Sequence, residues 1–134
     1  MKIVICGSMA FSQSMLETKK TLENNGHEVV VPHNAEKYAD GTIAIENKWE
    51  KIEGDLIRNY FNEIKNTDAV LILNQTKNNI ANYIGGNGLI EMAFAHVLDK
   101  KLFLLNPIPQ GMSYSDEIEA MRPIILNGDL SKII

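Results

Sequence analysis

The sequence predicts an α/β fold in which a mainly parallel five-stranded sheet carries helices on both faces, and three observations support this prediction. Short β-branched or apolar runs alternate with amphipathic segments along the whole chain. The first strand, helix and strand are complete within residues 2–32, which is the opening expected of a parallel sheet. The run at 69–73 is apolar throughout, as expected for a central strand that is covered on both faces.

The composition limits the class of protein. The chain has 134 residues, 45% hydrophobic and 22% charged, which is typical of a globular domain, and we expect a single domain over residues 1–134. The net charge of -4 provides no basic surface for a phosphate backbone, so nucleic acid is not an expected partner. The longest apolar runs are far shorter than the roughly 20 residues of a membrane span, so no membrane is expected either. The single cysteine, Cys6, cannot form an internal disulfide and suits a reducing cytoplasm.

The predicted elements follow one another in a regular order. A strand at 2–6 ends at Gly7-Ser8, and a helix with apolar residues at three- and four-residue spacing then runs to Gly26. The later elements are a strand at 27–32, a long connection at 33–47, a helix at 49–66, a strand at 69–73, a polar loop at 74–87, an apolar helix at 89–98, a strand at 102–105, a short helix at 115–121 and an edge strand at 124–126.

This alternation is typical of a flavodoxin-like doubly wound sheet. Ligands bind such sheets outside the carboxyl ends of the strands, so the candidate site lies in the loops after Cys6, Leu73 and Leu105. The connection at 33–47 follows the second strand on the same side of the sheet. Because it is long for a minimal link, it is predicted to be a mobile flap over the ligand.

Gly7 and Ser8 lie where the first strand turns into a helix. Backbone N–H groups at such a turn, with the helix dipole, favour an anion, and Ser12 is near the same helix start. A plain tight turn with serine caps is the alternative interpretation.

The loop Gly85-Gly86-Asn87-Gly88 precedes an apolar helix that contains Glu91. Three glycines in four residues allow a ligand to approach the backbone closely. Asn87 or Gly88 is the predicted N-cap, which places Glu91 in the first helical turn, either as a functional carboxylate or as a capping-box glutamate.

The helix at 49–66 presents Asp55, Arg58 and Asn59 on its polar face, where Asp55 and Arg58 can pair across one turn; such a face either contacts substrate or only solvent. The histidines and the single cysteine show no metal-ligand spacing, so neither a metal nor another cofactor is expected. The absence of a Gly-x-Ser-x-Gly motif disfavours a serine hydrolase.

Over roughly residues 2–107 the chain resembles the nucleoside 2-deoxyribosyltransferase superfamily, which includes 2′-deoxynucleoside 5′-phosphate N-hydrolases. The matching features are Gly7-Ser8 after the first strand, the segment 66–74, the glycine-rich loop with Glu91, and the strand introduced by Lys100-Lys101.

The resemblance implies cleavage or transfer of the N-glycosidic bond of a (deoxy)nucleoside or nucleoside 5′-monophosphate, with Glu91 as the nucleophile that forms a covalent glycosyl intermediate. It also implies a homodimer or larger homo-oligomer. The substrate-binding candidates from the residues and the resemblance together are Gly7, Ser8, Ser12, Asp55, Arg58, Asn59, Asn74, Gly85, Gly86 and Asn87.

The chain departs from the family at three positions. Tyr60 stands where the family has an aspartate, Gly85 where it has aspartate or serine, and the first strand lacks an aromatic hydroxyl. These departures favour an alternative, a non-catalytic nucleotide-binding or regulatory module on the same fold. A flavodoxin-like electron carrier is a third and more distant alternative, because the loops lack an obvious flavin platform.

Overall fold

The computed structural model describes residues 1–43 and 48–134. Five parallel strands form one sheet: β1 (Lys2–Cys6), β2 (Glu28–Val30), β3 (Ala69–Ile72), β4 (Lys101–Leu104) and β5 (Ile124–Ile125). Their order is β2-β1-β3-β4-β5, which puts β3 at the centre as its apolar sequence predicts. Cys6 lies opposite Ile72, which in turn lies opposite Leu104, so the carboxyl ends of β1, β3 and β4 are aligned.

The helices lie on the connections between the strands. They are α1 (Ser12–Asn24), α2 (Ala35–Ala39), α3 (Lys48–Glu53), α4 (Leu56–Lys65), α5 (Gly86–Val97) and α6 (Ser115–Ala120), with single 3₁₀ turns at Met9–Phe11 and Leu130–Lys132. Gly26 has a left-handed φ of 93° just after α1, as a glycine at a helix end predicts.

Both faces of the sheet are covered, because alternate residues of each strand point to opposite sides. Ile3 and Ile5 of β1 pack in one core cluster with Met15 of α1. Val4 belongs to the other cluster, which includes Met92 of α5. The prediction of a flavodoxin-like doubly wound α/β fold is therefore confirmed.

The prediction of one continuous helix from Trp49 is wrong. Asp55 has a left-handed φ of 47° and separates α3 from α4. Ile64 at the end of α4 is fully buried, whereas Trp49 and Ile52 on α3 are 60% and 63% exposed. The break at Asp55 therefore turns the first part of the expected apolar stripe away from the core.

The long connection after β2 contains α2, which packs against α1. Residues 44–47 of the predicted flap lie outside the described residues. Mobility of the segment stays a prediction.

The two ends of the chain meet at the amino-terminal end of the sheet. The Met1 ammonium group lies 3.1 Å from His27 Nδ1, and His27 Nε2 lies 3.2 Å from the Ile133 carbonyl oxygen. The ammonium group has hydrogens to donate, so Nδ1 accepts and Nε2–H donates to the carbonyl. Across the described residues, we find no helix with the length and apolar character needed to cross a membrane.

Candidate functional site

A crevice opens at the carboxyl ends of β1 and β3, where the sheet order reverses, as the topology predicts. It has two chambers of about 530 Å³ and about 560 Å³, each in the size range of small-molecule sites. Gly7, Met9, Lys51 and Asn87 line both chambers and mark the junction between them. One bound molecule can therefore extend through both.

The first chamber, called the apolar chamber below, lies between α4, α5 and the end of β2. Ile57, Ile90 and Phe94 contribute apolar walls, and the Phe94 ring packs edge-on against Phe61 at 5.1 Å between centroids. Glu91 lines the same chamber and is half-buried. A carboxylate thus stands in a largely apolar recess.

Glu91 is the sixth residue of α5, because the helix begins at Gly86 and its N-cap is Gly85. The predicted N-cap at Asn87 or Gly88, and with it the placement of Glu91 in the first turn, is wrong. In the second turn Glu91 can neither act as a capping-box residue nor gain much from the helix dipole. Asn87 lies one turn before it and lines the same chamber.

Two neutral side chains lie against Glu91. The Cys6 thiol hydrogen-bonds the Glu91 carboxylate, and the Tyr60 hydroxyl donates to the Ile5 carbonyl at 2.6 Å. Burial raises the pKa of Cys6 well above its usual range, and the Glu91 charge raises it further. Burial likewise raises the pKa of Tyr60 well above its usual range, with further increases from Cys6 and Glu91. Both groups stay protonated at neutral pH, so the thiol remains a donor to the carboxylate.

The second chamber, called the polar chamber, lies between the start of α5 and the turn after β1. Lys77 Nζ donates to Ser8 Oγ at 2.8 Å and lies 5.3 Å from the centroid of the Tyr83 ring. Ser8 Oγ also accepts from the Ala10 N–H at 3.2 Å, which leaves its own hydrogen for a ligand. Gly86 and Asn87 line this chamber, and the first N–H groups of a helix have no partner within it. This combination suits an anion.

Glycines around the crevice serve different purposes. A Cβ at Gly7 would lie 3.2 Å from the Leu73 carbonyl oxygen, so glycine lets the turn after β1 pack against the end of β3. A Cβ at Gly88 would lie 3.3 Å from Ile84 Cγ2, which makes Gly88 a packing residue. A Cβ at Gly86 would meet nothing within 4 Å, so that position leaves space in the polar chamber.

Most of the predicted site residues meet in this crevice, and three lie elsewhere. Arg58 Nε pairs with Asp55 Oδ2 at 2.9 Å on exposed surface. Asn74 is fully buried, and its amide nitrogen donates to the carbonyls of Asn106 and Pro107, joining the ends of β3 and β4. The predicted residues that line the chambers are Gly7, Ser8, Ser12, Asn59, Gly85, Gly86, Asn87 and Glu91.

Sequence reasoning missed Lys77 and Glu63, and it noted Tyr60 only as a departure from the family's aspartate. Lys77 lies in the polar segment after the central strand, and a basic residue there was the available signal. Glu63 follows Asn59 by four residues on α4, so helical spacing could have placed both on one wall of the apolar chamber.

Comparisons with protein-family models, with curated proteins and with solved structures give no match for this chain. Within residues 1–43 and 48–134, no group of three or more His, Cys, Asp or Glu side chains could hold a metal ion.

Proposed function

We propose that the protein cleaves or transfers the N-glycosidic bond of a nucleoside 5′-monophosphate or (deoxy)nucleoside through a covalent glycosyl-Glu91 intermediate. The observation that carries this proposal is a carboxylate in the apolar chamber, close to its junction with an anion-suited polar chamber. The position of Glu91 in the second turn of α5 adds support, because it removes the capping role as an explanation for the residue.

In the first step a Glu91 carboxylate oxygen attacks the anomeric carbon, C1′, and forms a C–O ester bond. The C1′–N bond breaks, and the base leaves with the bonding electron pair and takes up a proton. The transition state is oxocarbenium-like, as in retaining glycosidases, so a nearby negative carboxylate stabilises it. The Cys6 thiol, held protonated by burial, orients that carboxylate through its hydrogen bond.

In the second step water attacks C1′, the ester bond breaks, and Glu91 regains its carboxylate while the sugar keeps a hydroxyl at C1′. The proton lost by water balances the proton taken up by the base. If a second base attacks in place of water, the same intermediate gives transfer. Both outcomes use the same site, and the proposal covers either reaction.

The polar chamber supports a 5′-phosphate as the anion. Ser8 keeps a hydroxyl hydrogen available, and Lys77 supplies a positive charge 2.8 Å from Ser8 Oγ. Arg58, a substrate-binding candidate from the sequence, pairs with Asp55 at the surface, so Lys77 supplies the positive charge for the phosphate. The proposed partners are those expected from the sequence, a small nucleoside or nucleotide and a second copy of the chain. The proposed location is the cytoplasm.

Replacement of Glu91 by glutamine tests the proposal. Gln retains the shape and an acceptor for Cys6 but is not a nucleophile, so we expect base release to fall by roughly 10³-fold or more. The free energy of unfolding should change by about 1 kcal/mol at most. Base release from deoxynucleosides and their 5′-monophosphates is measured by chromatography, with Glu23→Gln on the exposed surface of α1 as the matched control.

Two results would contradict the proposal. Base release by Glu91→Gln at the parental rate would remove the nucleophile assignment. Nucleotide binding by the parent chain without any base release would favour the alternative, a non-catalytic nucleotide-binding module.

A further inference from the structure

One wall of the apolar chamber is formed by α4 and carries side chains that the proposed chemistry does not use. Asn59 and Glu63 lie four residues apart on this helix, and both line the chamber. Glu63 is half-buried. The negative charge of Glu63 also reaches the Tyr60 hydroxyl, where it contributes to the raised pKa of that group.

This wall offers hydrogen-bond acceptors. Within the two described ranges of the chain, the Glu63 carboxylate has neither a hydrogen bond nor an ion pair. The Asn59 amide nitrogen donates to the Gly54 carbonyl at 2.7 Å, which leaves the amide oxygen to accept. A partly buried carboxylate without donors is unfavourable, and a ligand with N–H groups would satisfy it.

The position of a base in the crevice rests on the proposed function. With the 5′-phosphate in the polar chamber and C1′ at Glu91, the base extends into the remainder of the apolar chamber. There the faces of the base meet Ile90 and Phe94, which suit an aromatic ring. The edge of the base then faces the wall formed by α4.

The pairing edges of the bases differ in their donors. Guanine presents two neighbouring donors, N1–H and the 2-amino group, and a carboxylate accepts from both at once. Adenine and cytosine present one donor beside an acceptor, and uracil, thymine and hypoxanthine present a single N–H beside carbonyl oxygen. We propose that Glu63 reads the base and selects guanine through these two donors.

The test compares 2′-deoxyguanosine 5′-monophosphate with 2′-deoxyinosine 5′-monophosphate, which lacks only the 2-amino group. Titration calorimetry uses Glu91→Gln protein, so that turnover does not disturb the binding measurement. We expect the guanine nucleotide to bind about tenfold or more tightly, the discrimination typical of a good bidentate contact. Glu63→Gln added to this protein offers one acceptor and one donor, so the preference should disappear, whereas Glu23→Gln should leave it unchanged.

Equal affinities for the two nucleotides in the Glu91→Gln protein would overturn the inference, and this comparison does not depend on the folding of a Glu63 variant. A guanine preference that survives Glu63→Gln would also overturn it. The proposed function is tested separately: base release without a guanine preference refutes only the role of Glu63. A preference that depends on Glu63 without any base release supports the inference and refutes the catalytic proposal.

Discussion

At the scale of single residues, burial determines the protonation of the groups around Glu91. The Cys6 thiol is fully buried, and the Tyr60 hydroxyl donates to the backbone of β1. Burial raises the pKa of both groups, so each is neutral beside the carboxylate. The thiol beside Glu91 is therefore a hydrogen-bond donor, and neither Cys6 nor Tyr60 adds a negative charge there.

The raised pKa values of Cys6 and Tyr60 predict a loss of stability in alkali. The two neutral groups contribute fully to the free energy of unfolding below their unfolded-state pKa values, which are about 8.5 for the thiol and about 10 for the phenol. This contribution is lost as the pH rises towards the higher values of the folded state, by up to about 1.4 kcal/mol per pH unit and group. Urea unfolding at pH 8 and pH 10.5 measures the decline, and Tyr60→Phe should decline less steeply. Equal declines in the two proteins would contradict this assignment.

The position of Lys77 in the polar chamber predicts that this residue distinguishes a nucleotide from a nucleoside. Lys77→Met removes the cation beside Ser8, and loss of a charged hydrogen bond should raise KM for a 5′-monophosphate by about tenfold or more. KM for the free nucleoside should stay unchanged, as should both constants in Lys20→Met, an exposed change on α1. If a 5′-phosphate has no effect on KM in the parent chain, the polar chamber is not a phosphate site.

At the scale of elements, the start of α5 brings together the two chambers. The helix begins at Gly86 without a side-chain cap, and its first residues line the polar chamber while Glu91 lines the apolar one. One helix therefore positions both the anion-suited end of the crevice and the proposed nucleophile. The turn after β1 faces it, held against β3 by Gly7.

A methyl group at Gly86 should lower turnover without lowering the stability of the fold. Nothing lies within 4 Å of an added Cβ, and Ala restricts the unfolded chain, so Gly86→Ala should retain stability or raise it by up to about 1 kcal/mol. Turnover of a 5′-monophosphate should fall, because the methyl group enters the polar chamber. Gly111→Ala, whose Cβ makes only an ordinary contact with Ile80, is the matched control. Unchanged kinetics in Gly86→Ala would show that ligand does not approach this backbone.

At the scale of the whole molecule, ligand binding should be visible at a distance from Glu91. Trp49, the single tryptophan, is 60% exposed on α3, and Lys51 of the same helix lines both chambers. A nucleotide that fills the crevice and closes the segment 33–47 should shift Trp49 fluorescence and slow proteolysis within that segment. Saturation of Glu91→Gln with nucleotide provides the measurement. If neither signal changes, the predicted flap is wrong.

The fold could be predicted from sequence because the signals for it are local and repeated. The alternation of strands and helices, with a fully apolar run at β3, is sufficient to predict the sheet and the end of it at which the crevice opens. The break at Asp55 was missed because the surrounding residues fit a helical pattern and the left-handed φ appears only in the folded chain. Lys77 was missed because its partner, Ser8, lies 69 positions away in the sequence. The start of α5 was misplaced because Gly85 caps it without a side-chain hydrogen bond.

The contacts of His27 with Met1 and Ile133 have a topological consequence. Residues 1 and 133 are joined through one imidazole ring, at the end of the sheet opposite the crevice. A short peptide could link them into a closed loop, with new ends opened in an exposed turn such as Asn127-Gly128. Such a circularly permuted chain should retain the crevice, since β1, a five-residue strand about 16 Å long, separates the join from it. The 3₁₀ turn at Leu130–Lys132 would then precede β1 in the chain, while the five strands keep their order and Glu91 keeps its place.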